Sequence, residues 1–140
     1  MSEIHEGGCL CGAVRYRARG PLREVIACHC TQCRKQTGHF LASTNVADDQ
    51  LDVEDGGKLR WYSASDFARR GFCGECGSIL FWKANSERYT SICAGGFDKP
   101  TGLTLTSHIF CADKGDYYEI TDGLPQYAAG SPGLVVDGSA

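Results

Sequence analysis

The placement of cysteine constrains this chain more than any other feature, because seven of its nine cysteines stand in three short clusters. The clusters are CLCG with Cys9 and Cys11, CHCTQC with Cys28, Cys30 and Cys33, and CGEC with Cys73 and Cys76. Closely spaced cysteines let thiolates converge on one metal ion, and tetrahedral zinc takes four ligands at ~2.3 Å. An odd number of cysteines also cannot pair completely as disulfides. We therefore expect a zinc-binding protein.

The clusters differ in the number of ligands they offer. The first and last clusters together supply four thiolates, which is the composition of a closed structural site; we name them the four-cysteine group. The central cluster, Cys28, Cys30 and Cys33, is the three-cysteine group. Catalytic zinc typically has three protein ligands and an open fourth position. We predict two zinc ions for the chain, with the three-cysteine group as the catalytic candidate.

Some alternatives stay open from the residues alone. A fourth ligand to the three-cysteine group would make both ions structural, and the candidates are Cys93, Cys111, His29, His39 and His108. A redox CxxC pair would leave the other clustered cysteines without a role. The ligand spacings of iron–sulfur clusters differ from the CxC and CxCxxC spacings of this chain. His29 lies between two candidate ligands and is predicted to point outward.

Short strand-like runs, separated by Gly, Asp and Asn, fill most of the chain, and helical periodicity is scarce. This pattern predicts a mainly β fold of short antiparallel strands and hairpins with zinc knuckles. The predicted strands are residues 13–19, 22–27, 40–46, 51–54, 59–63, 67–72, 78–82, 89–93 and 103–110. One helical turn is predicted over 30–38, where Gly38 supplies a left-handed stop. Glycines after the cysteines suit knuckles with positive φ; they are Gly12, Gly74 and Gly77.

The length of 140 residues predicts one domain. We assign residues 1–127 to a single zinc-binding domain and 128–140, which are rich in small residues, to a flexible C-terminal tail. The core is predicted to include Trp61, Trp82 and Phe110, with Cys93 and Cys111 as small buried side chains.

Charge and hydropathy argue against two classes of partner. Seventeen acidic and fourteen basic residues give a net charge of -3, the wrong sign for a dedicated nucleic-acid binder. No apolar run approaches the ~18 residues of a membrane span, and no export signal is visible. We expect a cytoplasmic protein. The basic pairs at 34–35 and 69–70 stand close to cysteine clusters and could balance thiolate charge.

The motifs taken together resemble a known family. The segments GGCLCGAVRY, ACHCTQCRKQTG, FCGECGSILF and SHIFCADKGDYYEITDGLPQY are similar to those of the glutathione-dependent formaldehyde-activating enzymes, which have the Mss4-like fold. Similar domains occur in centromere protein V. The likeness extends from Gly7 to Tyr127. It implies a structural zinc at the four-cysteine group and a labile, catalytic zinc at the three-cysteine group.

The resemblance also implies an activity. Members of the family add glutathione to formaldehyde to give S-(hydroxymethyl)glutathione, a carbon–sulfur bond-forming reaction classed with the lyases. In this chain a small-molecule thiol such as glutathione would take the open zinc position and attack the aldehyde. Arg34 and Lys35 are candidates to receive its carboxylates, and His39 to shuttle a proton. The alternative is a non-enzymatic interaction or thiol-sensing module with two structural zinc ions.

Overall fold

The computed structural model describes residues 3–130 of the chain, and within them ten strands form two sheets. The strands are β1 (Ile4–Gly8), β2 (Arg15–Arg19), β3 (Val25–Cys28), β4 (Leu41–Ala47), β5 (Leu51–Glu54), β6 (Leu59–Tyr62), β7 (Ala68–Cys73), β8 (Ile79–Ala84), β9 (Tyr89–Cys93) and β10 (Leu105–Ile109). One α-helix, α1 (Thr31–Thr37), follows β3, and three 3₁₀ turns span Asp48–Gln50, Ala94–Gly96 and Cys111–Asp113. The mainly β prediction is confirmed.

The strand order explains how distant cysteines meet. The smaller sheet runs β1-β2-β5, and the larger runs β10-β3-β4-β9-β8-β7-β6. Neighbouring strands are antiparallel except β10, which pairs in parallel with β3. The hairpin pattern expected from the sequence omits this parallel pair, because strand periodicity carries no information on the direction of a partner far along the chain. It also omits β1, whose sequence IHEGG lacks an apolar alternation.

The predicted helical turn is confirmed, and its two ends have clear physical causes. Cys30 caps the N-terminus, with its Sγ accepting from the backbone N–H of Cys33 at 3.3 Å. Gly38 ends the helix with φ 86°, and its N–H donates to the carbonyl of Arg34 at 2.9 Å. A residue with a side chain is disfavoured in this left-handed conformation, so glycine fits the stop.

The main core lies between the two sheets. Tyr16 of β2 meets Phe81 of β8 and Phe97 edge-on, each at a centroid separation of 5.4 Å. Ile92 of β9 is fully buried in the same cluster. Burial of side chains of this size stabilises by roughly 1.5–3 kcal/mol each. Two thiols of the four-cysteine group, those of Cys9 and Cys73, also belong to this cluster, so the candidate metal site borders the core.

Several residues predicted for the core lie elsewhere. Trp61 is 40% exposed on β6, where its ring stacks over Phe81 in the space that Gly71 leaves by having no side chain. Trp82, Phe110, Cys93 and Cys111 are half-buried rather than enclosed.

The end of the described chain is held by β10 and the 3₁₀ turn that follows it. The carbonyl groups of Tyr127, Ala128 and Ala129 accept from backbone N–H groups of residues 110–112 at 3.0 to 3.3 Å. The rest of the predicted tail, residues 131–140, lies outside the described residues. Among residues 3–130, no helix is long and apolar enough to cross a membrane.

Candidate metal and active site

The four-cysteine group comes together at the edge of the core. Cys9 and Cys11 follow β1, Cys73 ends β7 and Cys76 lies in the turn to β8. All four sulfur atoms lie within 4.8 Å of one another, with 3.6 Å between Cys9 and Cys11 and 3.8 Å between Cys11 and Cys73. A tetrahedron with zinc–sulfur bonds of ~2.3 Å has edges of about 3.8 Å. The donor set therefore fits zinc.

Hydrogen-bond donors surround these sulfurs. Backbone N–H groups of Val14 and Glu75 donate to the Sγ atoms of Cys9 and Cys73 at 3.2 and 3.4 Å. The Ser78 hydroxyl lies 3.2 Å from the sulfur of Cys76, and this hydrogen bond is the main reason that the pKa of Cys76 falls to about 5. Such donors stabilise thiolates, which are the protonation state that binds metal.

Glycines shape the two knuckles, although for different reasons. Gly12 and Gly77 have φ values of 84° and 79°, as predicted. Gly74 does not share this conformation, and the prediction of positive φ was wrong there. A Cβ atom on Gly74 would lie 3.0 Å from the carbonyl oxygen of Lys58 and 2.9 Å from Cγ of Arg60. Glycine is needed at this position because β6 approaches closely.

The three-cysteine group lies where β3 passes into α1. Its three sulfur atoms lie within 4.8 Å of one another. Among the described residues, no further His, Cys, Asp or Glu ligand atom joins them. Each alternative fourth ligand considered from the sequence therefore stands apart from the group. This set also fits a metal ion that takes three protein ligands.

Arg70 supplies the positive charge next to the three-cysteine group. It is 4% exposed, and its Nη1 and Nη2 atoms lie 3.5 and 3.6 Å from the sulfur of Cys33. The same nitrogens donate to the side-chain oxygens of Gln36 at 2.9 Å and Gln32 at 3.2 Å. Arg70 thus points across the fold to Cys33 and not to Cys73, its neighbour in sequence.

Hydrogen bonds among the sulfurs distribute the protons of the three-cysteine group. They raise the pKa of Cys28 and lower that of Cys30. The N–H of Cys33 and the charge of Arg70 lower the pKa of Cys30 further. The group therefore favours the thiolate form of one of its sulfurs, which is the form that binds metal.

A cavity of about 560 Å³ opens on the three-cysteine group. All three cysteines and Arg70 contribute to its wall. Strands β3, β4, β8, β9 and β10 also contribute residues, so the large sheet forms one side of the cavity. A molecule in this space would reach the sulfurs without disturbing the core between the sheets.

Two buried histidines lie behind the three-cysteine group. His29 is 1% and His108 is 3% exposed, which contradicts the prediction that His29 points outward. Nε2 of His29 lies 2.9 Å from Nδ1 of His108, and Nε2 of His108 lies 2.7 Å from Oδ2 of Asp122. The hydroxyl of Tyr118 is 2.8 Å from Nδ1 of His29. The parallel pairing of β10 with β3, invisible in the sequence, places His108 there.

Burial has a direct effect on the protonation of His29. It lowers the pKa of His29 to about 4, with a further contribution from neighbouring His108. At neutral pH His29 is therefore uncharged, and one of its ring nitrogens accepts a hydrogen bond while the other donates. This places a continuous hydrogen-bonded chain, Asp122–His108–His29–Tyr118, against the turn that carries Cys28 and Cys30.

The other polar residues proposed from the sequence lie near the site but face other partners. Nε of Arg34 donates to the carbonyl of Asp113 at 3.2 Å. His39 is exposed, and its Nδ1 meets the hydroxyl of Tyr117 at 2.5 Å. Neither Arg34, Lys35 nor His39 belongs to the cavity wall formed by the described residues.

Comparison with known proteins agrees with this architecture. A Rhodobacter sphaeroides protein of known crystal structure matches 86% of this chain and 98% of its own with a TM-score of 0.55, at 18% identity. This likeness supports the fold alone.

Sequence relatives carry lyase names. An uncharacterized lyase of Schizosaccharomyces pombe is 28% identical over 84% of this chain and 86% of its own length. A Halomonas elongata protein, described by the name glutathione-dependent formaldehyde-activating enzyme, is 28% identical over 82% of this chain and 80% of its own. The family model of that name matches residues 4–113. With both cysteine groups inside the matched region, the chain belongs to the family of glutathione-dependent formaldehyde-activating enzymes.

Proposed function

We propose that this protein joins a thiol such as glutathione to formaldehyde or a related aldehyde, acting as a carbon–sulfur lyase at the three-cysteine group. The observation that carries the proposal is the group itself: three sulfurs within 4.8 Å of one another, without a fourth ligand atom among the described residues, on the wall of a cavity. Family membership and the lyase names of the relatives support the same reaction class.

The proposal assigns one zinc ion to each cysteine group. Zinc at the four-cysteine group would be structural and would contribute on the order of 10 kcal/mol or more to folding. Zinc at Cys28, Cys30 and Cys33 would favour the thiolate form of a substrate thiol, since a free thiol of pKa about 8.5 is largely protonated at pH 7. Cytoplasmic location is part of the proposal, because a reducing compartment keeps such thiols free of disulfides.

The reaction needs no oxidant and no other reactant. The sulfur of the thiol forms a bond to the carbonyl carbon, the carbonyl π electrons move to oxygen, and that oxygen receives a proton equivalent to the one lost by the thiol. The chain's own residues prepare the site. Arg70 balances the thiolate charge beside Cys33, and the open cavity gives a small molecule access to the sulfurs. The His29–His108 pair holds the ligand-bearing turn against β10.

Exchange NMR with ¹³C-formaldehyde and glutathione tests this function, with spectra recorded in the presence and absence of zinc-loaded protein. We expect faster exchange between free formaldehyde and its thiol adduct with the wild-type protein. The variant Cys33→Ser should lose the acceleration, whereas Cys93→Ser, which changes a cysteine outside both groups, should retain it. An exchange rate equal to the spontaneous one with wild-type protein, at two zinc ions per chain, would contradict the proposal.

A further inference from the structure

The cavity at the three-cysteine group is mostly apolar in surface. Six apolar side chains spread along the sequence provide this character, namely Ile26, Leu41, Phe67, Trp82, Ile109 and Phe110. Formaldehyde has a single carbon and fills about the space of one or two water molecules, ~30 Å³ each. A cavity of about 560 Å³ is in the range that holds much larger organic ligands.

Charged groups in the wall are poorly suited to the carboxylates of a tripeptide. Arg23 donates from Nη2 to the carbonyl of Ser43 at 2.9 Å and from Nε to that of Glu24 at 3.2 Å. Arg70 is directed to two glutamine side chains and to Cys33. Asp113, also in the wall, adds a negative charge. We therefore place the carboxylates of glutathione outside the cavity. The apolar space is then left for the part of the adduct that comes from the aldehyde.

The backbone conformation of Phe110 is a second observation that indicates a ligand at the apolar wall. Its backbone has φ 55° and ψ 38°, the left-handed conformation that residues with side chains rarely adopt. A hydrogen bond from its N–H to the carbonyl of Ala129 at 3.1 Å holds this conformation. Strained conformations of this kind concentrate at ligand and active sites. Here the strained residue contributes an aromatic ring to the cavity wall.

We infer that the aldehyde substrate of this protein carries an apolar group of about the size of a phenyl ring, which occupies the cavity while its carbonyl carbon meets the thiol. This inference rests on the proposed function, since it names the substrate class of the same site. The product is a hemithioacetal: the thiol sulfur bonds to the carbonyl carbon, and the carbonyl oxygen becomes a hydroxyl. No atom or electron beyond those of thiol and aldehyde is required.

Binding of two stable adduct mimics tests the inference independently of turnover. S-(2-phenylethyl)glutathione and S-methylglutathione correspond to the phenylacetaldehyde and formaldehyde adducts without the hydroxyl group, and they share the same tripeptide. We expect the phenylethyl compound to bind the zinc-loaded protein about tenfold more tightly, from burial of its ring. In NMR titrations it should shift the indole N–H of Trp82 and leave that of Trp61, outside the cavity wall, unchanged.

A pair of exposed aromatic residues provides matched variants. Phe67 in the wall is 66% exposed and Tyr62, outside it, is 63% exposed, so neither replacement removes a core side chain. Phe67→Ala should reduce the preference for the phenylethyl compound at least about threefold, and Tyr62→Ala should leave it unchanged. Turnover is then compared for glutathione with phenylacetaldehyde and with formaldehyde, each relative to its spontaneous rate. We expect the larger acceleration for phenylacetaldehyde.

The outcomes separate this inference from the proposed function. Equal binding of the two mimics, together with turnover of formaldehyde, would overturn the inference and leave the proposed function standing. Tighter binding of the phenylethyl compound without acceleration for either aldehyde would overturn the proposed function and preserve the apolar ligand class of the cavity.

Discussion

Nε2 of His29 and Nδ1 of His108 lie 2.9 Å apart, although the two residues are separated by 79 positions in the sequence. His29 follows the first cysteine of the three-cysteine group, and His108 lies on β10. Because both rings are almost fully buried, each nitrogen depends on its protein partner and not on water for hydrogen bonding. The pair thereby joins the turn that carries Cys28 and Cys30 to the edge strand of the large sheet.

Replacement of His108 should destabilise the protein. The variant His108→Ala leaves the buried His29 with one hydrogen bond fewer, and an unsatisfied buried polar group costs about 1–3 kcal/mol. Urea unfolding of the zinc-loaded protein measures the change in free energy of unfolding. The exposed His39 offers a control, since His39→Ala should change stability by less than about 0.5 kcal/mol. Equal stability of His108→Ala and wild type would contradict the role of the pair.

Asp122 should make stability fall in acid. The N–H of Leu124 first, and then His108, hold the pKa of Asp122 below its ordinary value. The folded protein therefore binds this proton less readily than the unfolded chain. The contribution of Asp122 is present above the unfolded pKa and is lost as pH falls through the lower folded pKa. Unfolding free energies measured from pH 6 to pH 3 should fall less steeply in Asp122→Asn. The same slope as in wild type would count against this contribution.

The two cysteine groups should respond differently to loss of one thiol. Cys76→Ser removes a thiol from the group that borders the core, so we expect loss of the folded state along with loss of zinc. Cys33→Ser should leave a folded protein with one zinc ion. Circular dichroism and elemental analysis measure both properties, and Cys93→Ser serves as the matched control with two ions. Similar loss of fold in Cys76→Ser and Cys33→Ser would contradict the division into structural and catalytic sites.

Arg70 should strengthen retention of zinc at the three-cysteine group. Its guanidinium contacts the sulfur of Cys33, and replacement of groups that contact metal ligands typically weakens metal affinity about 10–100-fold. We expect Arg70→Gln to lose one zinc ion to a chelator at about tenfold lower chelator concentration. Arg69→Gln is the control, because Arg69 lies over the ring of Trp61 at 4.6 Å. Identical chelator curves for both variants would show that Arg70 does not stabilise the metal.

Much of the local structure could be predicted from the sequence because the signals are local. The alternation of apolar residues predicted nine of the ten described strands. The segment that begins at Cys30 and stops at Gly38 predicted the helix. Because two cysteine pairs together supply the four ligands of a closed zinc site, the sequence also predicted that Cys9 and Cys11 lie close to Cys73 and Cys76. β1 was not predicted because four of its five residues are glycine or polar and its stability comes from pairing with β2.

The sequence by itself determined the chemistry available to this protein: seven clustered thiols in groups of four and three, on short strands and tight turns. Only the tertiary structure decided which residues surround those thiols. Arg70 reaches Cys33 across 37 positions, and His108 meets His29 through a parallel strand pair. Such contacts depend on the order and direction of strands in a sheet, which the period of a single strand does not encode. The apolar cavity likewise exists only once six strands are assembled around the three-cysteine group.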